Sequence, residues 1–287
     1  MLHRRVLITG ANKGIGRASV AAVLEAADDT IVLLGCRSEE RGRAAKAELA
    51  ASHQGWEDRI SVLVIDVADD VSVSKAATQT RATFGDEPGT LYGIVNNAGM
   101  GLGDSELARV LEVNTHGPRR VCEHFMPLLA PGQGRVVNIS SASGPSFVAT
   151  CSPRRQAALT NADVTWAQVV DVLSECLAGG LDSGSAYGLS KAALNAYTIE
   201  LARQRPEFIV NACTPGFIET DLTRPHAASQ GISPQAMGMK PPREGTRAML
   251  RLLFGDPGGS GWYFGSDAQR SPIDRYRSPG DPPYSGT

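Results

Sequence analysis

The sequence predicts an α/β fold, a doubly wound parallel sheet of the Rossmann type with helices on both faces. Three observations support this prediction. Short apolar runs alternate with longer stretches of helical periodicity, as in repeated βαβ units. The apolar runs are nearly continuous in Val, Ile and Leu, which is typical of strands that helices cover on both faces. The first run leads directly into a glycine-rich turn and then a helix.

Strands and helices are predicted to alternate strictly along the chain. Strands are recognised as short apolar runs, and helices as longer stretches in which apolar residues recur at helical spacing. The strands are Val6–Thr9, Ile31–Leu34, Ser61–Ile65, Gly93–Val95, Arg135–Ile139 and Ile209–Thr214. The main helices are Ile15–Ala27, Glu39–Ser52, Val71–Phe84, Ser105–Leu129, Ala186–Arg205 and Glu244–Phe254.

Three stretches interrupt this order. Residues 145–181 insert a long segment before the helix at Ala186, and residues 224–242 have the composition of a loop. Residues 255–287 are rich in Gly, Pro and Ser, and we expect them to wrap the surface or fray. Within the insertion, helical spacing predicts one apolar face formed by Val164, Ala167, Val170, Val172, Leu173 and Leu177. The whole chain, 1–287, is expected to be a single domain with a helical insertion.

Composition excludes several classes of protein. The formal net charge of −2 argues against a nucleic-acid or anionic-membrane surface, and 42% hydrophobic residues argue against disorder. The five cysteines form no C-x-x-C pair and the histidines no H-E-x-x-H pattern, so neither a disulfide framework nor a metal site is expected. No signal-peptide core or run of about 18 apolar residues is present. We therefore expect a cytoplasmic protein without membrane or nucleic-acid partners.

The glycine-rich turn after the first strand is a candidate phosphate site. Its spacing, G-x-x-x-G-x-G, is neither the commonest dinucleotide fingerprint nor a P-loop. Glycines let the backbone approach a pyrophosphate, while the following helix offers N–H donors. The alternative is a strand-to-helix turn that binds nothing. The candidate residues are Gly10, Asn12, Lys13, Gly14, Ile15 and Gly16.

The end of the second strand indicates which nucleotide would bind. A carboxylate there favours NAD, whereas an Arg accommodates the 2′-phosphate of NADP. Here the strand is followed by Arg37 and Ser38 with no carboxylate at its tip, and Lys13 in the glycine turn adds a second cation. These residues favour NADP(H), although Arg37 could also simply begin a charged helix.

Further motifs follow the remaining strands. They are Asp66-Val67, Asn96-Asn97-Ala98-Gly99, Asn114, Ser140-Ser141, Tyr187-x-x-x-Lys191 and Pro215-Gly216-Phe217-Ile218-Glu219-Thr220. In this order, and together with the glycine turn, they resemble the short-chain dehydrogenase/reductase family. Ser141 and Tyr187 lie 46 positions apart (187 − 141), much further than in most members. This insertion and the Asn12–Gly16 segment resemble the monomeric NADPH-dependent carbonyl reductases.

The resemblance implies a catalytic set of Asn114, Ser141, Tyr187 and Lys191. Tyr187 would protonate the developing alkoxide, and Lys191, on the same helix face at i+4, would lower the pKa of the phenol. Lys191 would also bind the nicotinamide ribose. Ser141 would donate to the substrate carbonyl oxygen, and Asn114 would hold a water of a proton relay. Each residue alone could instead be an ordinary helix, turn or capping residue.

The resemblance also implies contacts around the cofactor and the substrate. The further cofactor residues are Asp66, Val67, Asn96, Ala98, Gly99, Pro215, Gly216, Ile218 and Thr220. Asn97 is expected to be structural. Phe217 would face the substrate, or it could equally be a buried anchor of its loop.

The implied function is the NADPH-dependent reduction of a ketone or aldehyde to an alcohol, by a monomer acting on a small molecule. Two alternatives stay open: a pathway-specific ketoreductase or alcohol dehydrogenase, and a non-catalytic regulator that senses NADP(H). The monomer is expected because the inserted helix would cover the surface through which family members pair. The alternative is that the insertion forms a lid over the substrate and leaves that surface free. The substrate depends on residues 100–106, the insertion and residues 224–242, and such loops vary without changing the chemistry.

Overall fold

In the computed structural model, which describes residues 4–101, 106–179, 181 and 183–286, one eight-stranded sheet organises the chain. The strands are β1 (Arg4–Ile8), β2 (Thr30–Cys36), β3 (Ile60–Val64), β4 (Gly93–Asn96), β5 (Arg135–Ile139), β6 (Ile209–Cys213), β7 (Tyr263–Phe264) and β8 (Arg270–Ser271). Their order is β3-β2-β1-β4-β5-β6-β7-β8, parallel except for β8. This doubly wound order reverses between β1 and β4, which confirms the predicted fold class.

Helices cover both faces of the sheet. Their bounds are α1 (Gly14–Ala26), α2 (Glu39–Ser52), α3 (Asp70–Phe84), α4 (Leu107–Leu111), α5 (Gly117–Phe125), α6 (Ser143–Thr150), α7 (Pro153–Thr160), α8 (Trp166–Gly179), α9 (Ser183–Gln204), α10 (Arg224–Ser229) and α11 (Arg247–Phe254). α1, α2 and α11 bury apolar side chains against one face, and α3, α5 and α9 against the other. No helix in the described part of the chain is long and apolar enough to cross a membrane.

The helix predicted over Ser105–Leu129 is divided. α4 runs into a π-helical turn at Glu112–His116, α5 follows, and a 3-10 turn closes the segment at Met126–Leu128. Ser105 lies outside the described residues. The π turn adds one residue to a turn of the helix, and so it shifts which side chains face inward. The apolar residues from which the helix was predicted do not indicate this extra residue.

The insertion forms three helices, α6 to α8, and α8 packs on α9. The predicted apolar face of α8 was partly wrong: Ala167 and Leu177 are exposed. The buried residues are Val169, Val172, Leu173 and Cys176, which pack against Leu189, Ala192 and Ala193 of α9. The start of α8 is tied to α9, because the Trp166 backbone N–H donates to Glu200 Oε1 at 2.7 Å.

The C-terminal segment is more ordered than its composition suggested. β7 extends the sheet in parallel with β6 and buries Tyr263 and Phe264, so this part of the segment joins the sheet and neither wraps the surface nor frays. Beyond β8, Arg277 forms an ion pair with Asp267 at 2.6 Å between largely buried side chains, and it also donates to two backbone carbonyls. Strands of two residues are too short to be recognised from periodicity, which explains the error.

Candidate active site

The glycine turn joins β1 to α1 in a conformation that needs its glycines. Gly10 and Gly14 have positive φ angles of +62° and +53°, and a Cβ on Gly16 would lie 2.2 Å from the Gly10 carbonyl oxygen. Among the described residues, no side chain caps the start of α1 after Lys13. The first N–H groups of α1 can therefore reach a phosphate that approaches the turn.

The loop after β4 is tied to the glycine turn by side-chain hydrogen bonds. Asn97 Nδ2 donates to the carbonyl oxygen of Thr9 at 2.8 Å, and Thr9 Oγ1 accepts from the backbone N–H of Ala98 at 3.0 Å. Asn97 is therefore structural, as expected. Asn96 differs from the expectation because its side chain is buried in the sheet, where Nδ2 donates to Asn138 Oδ1 at 2.8 Å. A cofactor contact from Asn96 would have to use its backbone.

Lys191 is buried at the carboxyl ends of the strands. Its Nζ donates to the Ile139 carbonyl oxygen at 2.9 Å and lies 5.7 Å from the centre of the Tyr187 ring. Burial lowers the pKa of Lys191 to about 8. Lys191 and Tyr187 thus share one face of α9, as their i+4 spacing predicts.

Tyr187 is half-buried and makes a hydrogen bond with Ser141. Burial raises the pKa of the Tyr187 phenol, and the hydrogen bond with Ser141 partly offsets this effect. The expectation that Lys191 brings this pKa toward neutrality is therefore not met in this geometry. Ser141 Oγ also accepts from the backbone N–H of Ser143 at 3.2 Å, which orients the hydroxyl toward the start of α6.

Asn114 lies in the π turn and is fully buried. Its Oδ1 accepts from the Met100 backbone N–H at 2.9 Å, and its Nδ2 donates to Ser190 Oγ at 3.0 Å. A Cβ on Gly99 would lie 3.4 Å from Asn114 Oδ1 and 3.7 Å from Lys191 Nζ. The four predicted catalytic residues are therefore brought together, with Gly99 leaving the space between them open.

The residues after β2 and β3 are those that the sequence predicted on the adenosine side of a cofactor. The Arg37 side chain is exposed and has no hydrogen-bond or ion-pair partner within the described ranges. Ser38 caps α2 by accepting from the Arg41 backbone N–H at 3.3 Å. Asp66 Oδ1 accepts from the Ala68 backbone N–H at 3.0 Å, and Val67 is mostly buried against Gly117. Ser38 and Asp66 thus already have structural roles in their loops.

The loop after β6 lies across the glycine turn. A Cβ on Gly14 would lie 3.4 Å from Thr220 Cγ2, and Gly216 adopts a φ of +91° beside Ser266. Ile218 is buried, so its side chain faces the loop interior rather than the groove. Phe217 is 43% exposed, which disfavours the alternative of a buried anchor. Residues 102–105 of the neighbouring loop lie outside the described residues.

Two contacts in the site were not anticipated. Lys13, predicted as a second cation for a 2′-phosphate, is paired with Asp221 at 2.7 Å. Tyr263 of β7 is buried, and this burial is the main cause that raises its pKa, with a smaller contribution from Tyr187. Asp221 directly follows Thr220, so an acid near the glycine turn could have been found in the sequence. The position of Tyr263 depends on β7, a strand that the sequence did not predict.

Comparisons with known proteins agree with this fold. An α/β sheet whose carboxyl edge gathers a glycine turn and a Ser, Tyr and Lys cluster defines a dinucleotide-dependent oxidoreductase class. Residues 4–153 match the family model described as short chain dehydrogenase. The chain belongs to this family, whose members use a nicotinamide cofactor.

Individual relatives resemble the chain over most of its length. It is 31% identical to (+)-neomenthol dehydrogenase of Arabidopsis thaliana, over 76% of this chain and 84% of that one. It is 30% identical to carbonyl reductase (NADPH) 1 of Homo sapiens, over 89% and 92%. Among solved structures, salutaridine reductase from Papaver somniferum has a TM-score of 0.75 and 26% identity, over 91% of this chain and 99% of that one. The relatives support carbonyl reduction as the general chemistry.

Proposed function

We propose that the protein reduces a ketone or aldehyde to an alcohol with NADPH, using Tyr187 as the general acid. The observation that carries this proposal is the cluster of Ser141, Tyr187 and Lys191 at the sheet edge beside the glycine turn. The residues present fit a dinucleotide, because α1 begins without a side-chain cap, Arg37 has no partner in the described part of the chain, and Gly99 leaves space.

The nicotinamide cofactor supplies the hydride when it is bound. Ser141 and Tyr187 are hydrogen-bonded to each other. We assign both hydroxyls to the oxygen of the substrate carbonyl. As negative charge develops on that oxygen, Tyr187 transfers its proton and Ser141 donates a hydrogen bond. The Tyr187 phenol is protonated at neutral pH, but the burial that raises its pKa also makes it a weaker acid, so the proton transfer needs a nearby positive charge.

Lys191 is assigned the stabilisation of the phenolate that remains on Tyr187 after proton transfer. Its ammonium group lies near the Tyr187 ring in a buried setting, where a charge interaction is stronger than in water. Asn114 holds the Met100 loop against α9 and keeps the space at Gly99 next to Lys191. We assign Asn114 the support of a water through which the proton of Tyr187 is restored.

The choice of NADPH over NADH rests on Arg37. Its exposed guanidinium follows β2 directly, and no carboxylate occupies the tip of that strand to hold a ribose 2′-hydroxyl. The human carbonyl reductase to which the chain is similar carries NADPH in its name. The remaining cofactor contacts proposed are those of the glycine turn and of the loops after β3, β4 and β6.

The proposed reaction is tested by NADPH oxidation across quinones, aldehydes, α-dicarbonyls and a monoterpene ketone, since one relative is named neomenthol dehydrogenase. Turnover of many of these supports a general carbonyl reductase. Turnover of a single one supports a pathway-specific ketoreductase. NADP⁺ binding without any turnover contradicts the proposal and favours the non-catalytic regulator. The Ser141, Tyr187 and Lys191 cluster argues against that regulator, which would need none of the three.

We expect kcat/KM for NADPH to fall above about pH 8. Lys191 has a pKa lowered to about 8 by burial, so it is a cation below that pH and loses its charge as the pH rises through it. Because kcat/KM reports groups of the free enzyme, the profile should be level at about pH 6–7 and decline through the pKa of Lys191. Lys75→Arg, at an exposed position on α3, should leave the profile unchanged. A level profile to about pH 9.5 would contradict the assigned role of Lys191.

We expect light scattering at micromolar concentration to give the mass of one chain. α8 occupies the outer side of α9 through Leu173 and its buried neighbours, and Arg119 of α5 lies 4.9 Å over the Trp166 ring. A mass near twice that of the chain rejects the monomer. Leu173→Asp should loosen α8 and cause association, because the apolar surface of α9 is then exposed, whereas Leu177→Asp at the exposed side of α8 should not.

A further inference from the structure

An ion pair links the two loops that face each other across the expected cofactor groove. Lys13 lies in the glycine turn and Asp221 in the loop after β6, and Lys13 Nζ lies 2.7 Å from Asp221 Oδ2. The loops are already in contact at Gly14 and Thr220. The pair therefore connects the glycine turn to the loop after β6, and a bound dinucleotide would lie against or between these two segments.

Asp221 is held in place by its own loop. Its second oxygen, Oδ1, accepts from Arg224 Nη1 at 2.8 Å, and Arg224 Nε donates to Glu219 Oε1 at 3.0 Å. The hydrogen bond and charge of Lys13, aided by Arg224, lower the pKa of Asp221, so the carboxylate is ionised at neutral pH. The Lys13 ammonium group thus has a negatively charged partner at the surface.

The two cations assigned to a 2′-phosphate are consequently in different states. Arg37 has no partner in the described part of the chain, whereas Lys13 is engaged by Asp221. The segments that carry the two cations are joined, because the Ala11 backbone N–H donates to the Gly35 carbonyl oxygen at 2.9 Å and ties the glycine turn to the end of β2. The long, flexible Lys13 side chain therefore starts from a segment that is bonded to the one that carries Arg37.

We propose that Asp221 is a cofactor-selectivity residue, which competes with the 2′-phosphate of NADP(H) for Lys13 and so reduces the preference for NADP(H) over NAD(H). This inference rests on the proposed use of NADP(H). Both side chains of the pair are more than half exposed, at 62% and 58%, so the pair is weak and can exchange. A phosphate that carries nearly two negative charges is the stronger partner, and Asp221 only subtracts from its advantage.

The opposite role would be a strap that favours binding. If the Lys13–Asp221 pair held the loop over the pyrophosphate, which both cofactors contain, its loss would lower the affinities for NADP⁺ and NAD⁺ to the same degree. The two roles predict changes of opposite sign in NADP⁺ affinity, and a binding measurement separates them without any turnover.

The test is calorimetric titration of the purified protein with NADP⁺, NAD⁺ and adenosine 2′,5′-bisphosphate, which carries the 2′-phosphate without a nicotinamide. Asp221→Asn should raise the affinity for NADP⁺ and for the bisphosphate about fivefold, and the affinity for NAD⁺ by less than about twofold. Glu219→Gln removes the same charge from the same loop, but Glu219 contacts Arg224 and Gln235 and not Lys13. This substitution should therefore leave the affinities for NADP⁺ and for the bisphosphate, each relative to that for NAD⁺, unchanged.

A double-substitution cycle makes the pairing specific. In a Lys13→Met background, Asp221→Asn should have no effect on NADP⁺ affinity, because the competition is already gone. Weaker NADP⁺ binding in Asp221→Asn, equal changes for both cofactors, or an effect that persists without Lys13 would each overturn the inference while leaving carbonyl reduction standing. Wild-type protein that binds NAD⁺ but not NADP⁺ would overturn the inference and the proposed cofactor together.

Discussion

Replacing Tyr187 with Phe is expected to lower kcat by at least about 100-fold, with NADP⁺ binding nearly unchanged. The substitution removes the hydroxyl that is hydrogen-bonded to Ser141 and keeps the half-buried ring that Lys191 faces. Because the phenol acts on charge that develops only in the transition state, its loss should appear in kcat rather than in ground-state binding. Steady-state NADPH oxidation and a calorimetric titration with NADP⁺ measure the two quantities.

Tyr92→Phe is the matched control for this loss. Tyr92 adjoins β4 at the opposite end of the sheet, where its hydroxyl donates to the Leu253 carbonyl oxygen at 2.9 Å. The control loses a tyrosine hydroxyl and one hydrogen bond but should keep full turnover. If Tyr187→Phe retained more than about a tenth of the activity, the general acid would have to be another group.

Arg37→Ala is expected to weaken NADPH binding by about 2 kcal/mol or more, roughly 30-fold, with little effect on NADH. The Arg37 guanidinium is exposed and unpartnered within the described residues, so its removal breaks no internal contact. The loss would therefore come from a charge-assisted hydrogen bond to the 2′-phosphate. Fluorescence titration with NADPH and NADH gives both dissociation constants.

Arg41→Ala tests whether a nearby positive charge alone is enough. Arg41 is also exposed and lies one turn further along, in the first part of α2. Its loss should change the two affinities by less than about twofold, as expected for a screened surface charge. Equal losses for NADPH and NADH in Arg37→Ala would show that Arg37 does not bind the 2′-phosphate, and a wild-type preference for NADH would reject NADP selection outright.

The parts of the fold that the sequence predicted correctly depend on local patterns. β1 to β6 are runs of buried Val, Ile and Leu, and the turns after them carry the residues that meet at the sheet edge. The sequence could predict that Tyr187 and Lys191 share a helix face, because that follows from their spacing alone. Their assembly with Ser141 was implied by the resemblance to the family and not by a local pattern.

The parts that were missed depend on contacts between distant segments. The start of α8 is hydrogen-bonded to Glu200 on another helix, and Lys13 is paired with Asp221, 208 positions away. The apolar residues of the helix that contains Asn114 do not indicate its π turn. The raised pKa of Tyr187 likewise follows from burial in the assembled site, which no spacing of residues in the sequence reveals.

The position of β7 bears on how the protein is made. β6 pairs with β5 on one side and with β7 on the other, yet β7 is translated some fifty residues after β6 (263 − 213). Until Tyr263 and Phe264 have left the ribosome, a nascent chain presents the backbone of β6 as an open strand edge, the kind of surface on which chains associate. Prematurely terminated chains would keep that edge permanently. Synthesis of this protein should therefore be most sensitive to chaperone supply and to ribosome stalling in the interval between β6 and β7.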